Sequence, residues 1–241
     1  MKMKLWAITS SFAAVALAIS GCGGGGGSLS RLPNPQLMFA NMSPDSGSVD
    51  FFLDDDGVAS NIAFGSTAPF RSVDPEPQDL SVRNTGVPEE VDVTVTNPQR
   101  DRTYLALLFG WADFDTEFEK RQRLSFIEVD TRFPSSGVAR LIVFHGYNRA
   151  AGFSTPNIDF QFPGDTPQFR VSNIPYGEAR TGTVQAGTHT FEARRSGTEN
   201  VYASTNQTVG SSSIYLVFVT GVEDGTGNLA PAIRFVSIPA R

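Results

Sequence analysis

The chain has 241 residues, enough for one or two domains, with 40% hydrophobic residues and a formal charge of −6. Its single cysteine excludes an internal disulfide and a Cys₂His₂-type zinc site, and the lack of any basic stripe argues against nucleic acid as a partner. Glycine (23) and proline (15) accompany 19 phenylalanines, a composition that points to many short strands joined by turns around a real core.

At the N-terminus, Lys2 and Lys4 precede an apolar run over 5–19 that only Thr9, Ser10 and Ser11 interrupt. The run is too short to cross a ~30 Å hydrocarbon core comfortably. It suits the apolar part of a signal peptide. Ile19-Ser20-Gly21-Cys22 follows and resembles the lipobox of bacterial lipoproteins. The resemblance implies cleavage between Gly21 and Cys22, a diacylglycerol on the Cys22 thiol, and acylation of the new amine. Residues 1–21 are then the signal peptide, and 22–35 a lipidated, glycine-rich tether. Gly23, Gly24, Gly25, Gly26 and Gly27 offer no side chains to pack, so this tether is a flexible coil. Two or three acyl chains suffice for stable anchoring. The partner so implied is the membrane, reached through lipid on Cys22. Gly23 in place of Asp favours the outer membrane, by resemblance to lipoprotein sorting signals. The alternative is an uncleaved signal anchor. Loss of 1–21 leaves 17 basic against 25 acidic residues, a charge of −8, which predicts a soluble exported domain repelled by anionic lipid faces.

The rest of the chain matches itself. Val49-Asp50-Phe51-Phe52 corresponds to Ile158-Asp159-Phe160-Gln161, and Asn61-Ile62-Ala63-Phe64-Gly65 to Asn173-Ile174-Pro175-Tyr176-Gly177. Gly86 precedes Tyr104 by 18 positions, as Gly197 precedes Tyr215, and the apolar runs that follow end at Gly110 and Gly221. Ser125-Phe126-Ile127 matches Arg234-Phe235-Val236. Two units of about a hundred residues result, 36–134 and 138–241.

Strands are expected in the first unit over 36–41, 48–53, 58–64, 68–73, 80–84, 91–96, 104–109 and 124–129. Ser43-Pro44-Asp45, Asp54-Asp55-Asp56-Gly57 and Asp74-Pro75-Glu76-Pro77 supply turns between them. The charged segment 113–123 reads as a loop or one helical turn. The fold expected is all-β: two tandem antiparallel β-sandwiches after a signal peptide and flexible linker.

Met42-Ser43-Pro44-Asp45, then Val49-Asp50-Phe51-Phe52, Asp56-Gly57 and Asn61-Ile62-Ala63-Phe64-Gly65, resembles the opening of the DUF4397 domain. That family reads His-Ala-Ser-Pro-Asp, then Val-Asp-Val-Tyr, a turn, and a later Phe-Gly. In the second unit His145 falls where the family often has His, while a longer loop over 146–155 replaces Ser-Pro-Asp. The resemblance implies an immunoglobulin-like sandwich in an exported protein and supplies no catalytic residues.

Residues that carry chemistry elsewhere read here as structure. Asp54, Asp55 and Asp56 are weak candidates for calcium, but an EF-hand register would place Phe52 and Ala63 at its first and last ligand positions. A hairpin turn with Asp56-Gly57 at positive φ is the expectation. Gly225-Thr226-Gly227-Asn228-Leu229-Ala230 fits a dinucleotide fingerprint only formally, since Pro231 and a strand follow rather than a helix. His145 should order a turn, and His189, alternating with Phe191, should face solvent. Trp111, Phe114 and Phe118 read as a plug under a loop, or else a binding tip. Asn41-Met42-Ser43 and Asn206-Gln207-Thr208 are formal glycosylation sites without meaning in a bacterial lipoprotein. No catalytic residue and no cofactor is expected. The function expected is a non-enzymatic, lipid-anchored cell-envelope protein that binds an envelope protein or a glycan. The alternatives are a carbohydrate-active or other hydrolytic enzyme with its site between the units, and a purely structural envelope component.

Overall fold

A computed structural model describes residues 32–112, 121–149, 154–164 and 167–239; Gly21, Cys22, the tether up to residue 31, Phe114 and Phe118 lie outside the described residues. The strands come in two sets. The first is β1 (Gln36–Asn41), β2 (Val49–Leu53), β3 (Asp56–Ile62), β4 (Ser66–Thr67), β5 (Arg71–Ser72), β6 (Gln78–Asn84), β7 (Glu90–Thr96), β8 (Thr103–Phe109) and β9 (Arg123–Glu128). The second is β10 (Val138–His145), β11 (Ile158–Gln161), β12 (Arg170–Ile174), β13 (Ala179–Gln185), β14 (Gly187–Arg195), β15 (Val201–Val209), β16 (Ile214–Thr220) and β17 (Ala232–Ile238). The expected strand over 68–73 is instead the pair β4 and β5. Both lie against β1 at a sheet edge, and Pro69 between them has no N–H to continue the ladder.

The two sets pair alike. In the first, an outer sheet β3-β2-β6-β7 faces an inner sheet of β4 and β5, β1, β8 and β9. In the second, outer β12-β11-β14-β15 faces inner β13-β10-β16-β17. Antiparallel order breaks once per inner sheet, where β1 runs parallel to β8 and β10 parallel to β16.

The inner sheets then pack on each other, giving four layers and three cores. Alternate residues of one inner strand enter different cores. On β8, Tyr104, Ala106 and Leu108 face the outer sheet, whereas Leu105, Leu107 and Phe109 face the other half. On β16, Val217 and Val219 face outward, whereas Ile214, Leu216 and Phe218 meet the first half. A strand buried on both faces has no polar phase, which is why these segments read as unbroken apolar runs. The plane between the halves is therefore an apolar core, not a groove.

The hairpin β2-β3 corrects the expected turn. Its positive φ values fall on Asp54 (48°) and Asp55 (68°), while Asp56 and Gly57 belong to β3. Asp54 N donates to Asp79 O at 3.0 Å, and Asp79 N to Asp54 Oδ1 at 2.8 Å. Asp55 pairs with Arg83 at 2.9 Å. Those bonds carry the left-handed turn without glycine.

Candidate functional site

β1, β8, β10 and β16 point to one end of the molecule, and the described residues that follow them, 42–48, 110–112, 146–149 and 221–231, gather there. Leu32 and the connector 129–137 lie at the opposite end.

Each half builds this end on an aspartate, Asp50 in the first and Asp159 in the second. Asp50 Oδ1 accepts from Asn61 N at 2.6 Å and from Thr85 Oγ1 at 2.9 Å. Asp159 Oδ1 accepts from Asn173 N at 2.7 Å and from Ser196 Oγ at 2.9 Å. Asn61 and Asn173 both adopt φ 55°, a left-handed position that asparagine tolerates. Asp159 is buried and also pairs with Arg170. Burial alone would raise its pKa, but the donors from Asn173, Arg170, Ser196 and Gly197 hold the carboxyl below the usual range.

The strand ends are also equivalent. Asn41 O accepts from Gly65 N, and His145 O from Gly177 N, both at 2.8 Å. The fully buried Asn41 side chain donates to Gly47 O and Ile62 O and accepts from Ser43 N and Ser46 Oγ. Ser-Pro-Asp then clamps the next loop: Asp45 accepts from Ala112 N at 2.9 Å, and Ser43 Oγ donates to Gly110 O at 2.8 Å. Gln122 Nε2 closes the clamp on Ser43 Oγ at 2.7 Å. Trp111, partly buried, bridges to Arg121 inside this clamp.

His145 replaces Asn41 in the second half and is fully buried. Its Nε2–H donates to Pro156 O at 3.0 Å, so Nδ1 carries the lone pair, and Nδ1 has no hydrogen-bond partner among the described residues. Burial pushes the imidazole down to about 4, against the small upward pull of Pro156. The ring meets Tyr176 edge-on at 5.6 Å, and Asn148 Nδ2 donates to the Tyr176 hydroxyl at 2.8 Å. Burial pushes that phenol up to about 12.

Arginines from the last strand of each half reach across to the other. Arg123 of β9 stacks on Phe109 (4.9 Å) and on Tyr176 (5.4 Å), and Arg234 of β17 stacks on Phe64 (4.7 Å). Gly65 and Gly177 make room for this. A Cβ at Gly65 would lie 2.9 Å from the Arg234 guanidinium, and one at Gly177 2.8 Å from the Phe109 ring. The contacts are reciprocal, like those of a two-fold interface. Sequence reasoning missed Arg123, Arg234, Asn148 and Tyr176 as a set. The one available signal was the retained Asn-Ile-x-aromatic-Gly.

The remaining candidates fall apart as sites. His189, expected to face solvent, is half-buried. It lies two residues from Phe191 on β14, hence on the same face, and stacks on Phe162 at 4.7 Å. Gly227–Leu229 is one 3₁₀ turn in the β16–β17 loop. Among the described residues no group of three His, Cys, Asp or Glu side chains is placed to hold a metal, and Asp54, Asp55 and Asp56 do not converge. What the described residues of this end offer is a set of polar and aromatic side chains contributed by both halves.

The fold is thus all-β, with paired sheets and loops presented from one end. Residues 35–161 match the domain of unknown function DUF4397, and the chain belongs to that family. The match runs from the start of β1 through β11. No curated protein matches the chain. A solved structure described as a "putative cell adhesion protein" from Bacteroides ovatus ATCC 8483 is 11% identical and covers 86% of this chain and 96% of its own, with a TM-score of 0.23. At that TM-score the likeness carries no argument.

Proposed function

We propose that the protein is a lipid-anchored module of the bacterial cell envelope, on the outer membrane, that binds an envelope protein or a glycan and catalyses nothing. In this reading Cys22 carries the lipid, residues 22–35 are the tether, and 138–241 is a second copy of the family's domain. The observation that carries the reading is the arrangement of loops. Both halves present described loop residues, 42–48, 110–112, 146–149 and 221–231, at the end opposite Leu32, the first described residue. Loops on a rigid scaffold are where binding residues concentrate. The rival of a hydrolytic site between the halves finds no space there, because that plane is filled by Leu107, Phe109, Phe144, Leu216 and Phe218.

Two experiments test it. A photo-crosslinking amino acid at Trp111 should give adducts in intact cells, and the same group at Val95 on an outer edge strand should not. Adducts from Val95 alone, or turnover of a glycoside panel, would overturn the binding reading. Adducts from neither position would favour a purely structural component. Palmitate-analogue labelling should mark the wild type and spare Cys22→Ser; equal labelling would remove the anchor.

A further inference from the structure

At the rim of the shared core, on the loop end, one corner is polar. Gly110 and Gly221 are counterparts in the repeat, so Thr220 stands where the first half has Phe109. The Phe109 ring fills its own corner, packed on Phe144, Tyr176 and the Arg123 guanidinium. Thr220 is too small to fill the opposite corner in that way. It is fully buried, and its Oγ1 has no hydrogen-bond partner among the described residues.

Arg234 lies beside it. β16 and β17 pair Thr220 with Ala232 and Phe218 with Arg234, so Thr220 and Arg234 are diagonal neighbours on one face. That face is the one that Phe218 and Val236 turn toward the first half. There the Arg234 guanidinium stacks on Phe64 at 4.7 Å, and Gly65 leaves it room. Arg83, Arg102, Arg132, Arg149, Arg170 and Arg194 each pair with a carboxylate. Arg234 pairs with none among the described residues, and its buried Nε has no hydrogen-bond partner there.

Stacking uses the face of a guanidinium and leaves its in-plane fork of N–H donors to meet a carboxylate edge-on. Solvent can supply a hydrogen bond to Nε or to a hydroxyl, but only an anion also meets the charge of a half-buried guanidinium. We propose that Arg234 and Thr220 form a carboxylate-binding site between the halves at the loop end. The Arg234 fork holds the carboxylate, and the Thr220 hydroxyl donates to one of its oxygens. Phe64 and Gly65 of the first half complete the wall, so the site exists only when both halves are docked. The site goes beyond the binding reading and does not depend on it.

Titration of chain 22–241, followed by the Arg234 Nε–H resonance, tests the site, with the resonance assigned by its loss in Arg234→Lys. Sodium glucuronate and sodium N-acetylaspartate are the probes, glucose is the neutral control, and sodium chloride matches the ionic strength. The resonance should move saturably with at least one acid and stay still with glucose and with chloride. The acid that binds tighter identifies the source of the carboxylate, a sugar acid or an acidic side chain. Thr220→Val, which keeps the shape, should weaken binding about tenfold, the worth of a hydrogen bond to a charged group. Arg195→Gln, at an exposed arginine ending β14, should change nothing. No saturable shift with either acid, an equal shift with glucose or chloride, or full affinity in Thr220→Val would overturn the proposal. The Trp111 crosslink decides the partner of the loop end separately.

Discussion

His145 and Asn41 occupy one position in two halves and solve it differently. Asn41 satisfies its side chain with four partners; His145 sits in a fully buried ring whose Nδ1 has no partner among the described residues. Its imidazole is held near 4, below the ordinary 6.5 of the unfolded chain. Between those values the unfolded state binds the extra proton, so stability falls as pH drops from 6.5 towards 4. The slope should approach ~1.4 kcal/mol per pH unit, roughly 3 kcal/mol in all. His145→Gln should flatten that slope in urea titrations run across the range. Asp130, held at about 2 chiefly by Arg132, loses its own contribution as pH falls from its ordinary 3.8 towards 2, so the His145 slope is read above about pH 5, where Asp130 stays ionised in both states. Glycine is required where positive φ coincides with close approach. Gly177 and Gly47 have φ 80° and 70°, but a Cβ meets the Phe109 ring at Gly177 and open space at Gly47. Gly177→Ala should cost about 3 kcal/mol and Gly47→Ala about 1 kcal/mol in denaturant midpoints.

Among the elements, the turn built on a retained aspartate explains most of what the repeat keeps. Asp159 is buried, and its removal leaves the part-buried donors Asn173 N, Gly197 N and Ser196 Oγ without their acceptor, whereas the bonds of Asp50 are exposed. Asp159→Ala should therefore cost about 3 kcal/mol and Asp50→Ala about 1 kcal/mol, read as urea midpoints at unchanged slope. Much of this level was legible. The apolar runs at 36–41 and 104–109 coincide with β1 and β8 within a residue, because burial and strand propensity agree there. Legibility failed where a neighbour decides. Asp54 and Asp55 take the turn because Asp79 and Arg83 wait on β6, and Pro69 splits a strand that period alone would continue. His189 was assigned to the wrong face by counting i and i+2 as opposite sides.

For the whole molecule the inter-half core decides behaviour. Leu105, Leu107 and Phe109 interlock with Ile142, Phe144, Leu216 and Phe218, and Arg123 and Arg234 cross the same plane. The two halves should unfold together. Scanning calorimetry of chain 22–241 should give one transition with matching calorimetric and van't Hoff enthalpies. Two resolved transitions would show that the shared core does not couple them. Phe218→Ala, roughly 3–5 kcal/mol, should lower that single transition without splitting it. The family, the all-β class, the spacing of the strands and the mooring expected at Cys22 could all be argued from the sequence, because local pattern and turn chemistry carry them. That the halves share a core, and that Arg123 and Arg234 cross between them, were decided only by tertiary structure. An unbroken apolar run says that both faces of a strand are buried, but not which surface covers the second.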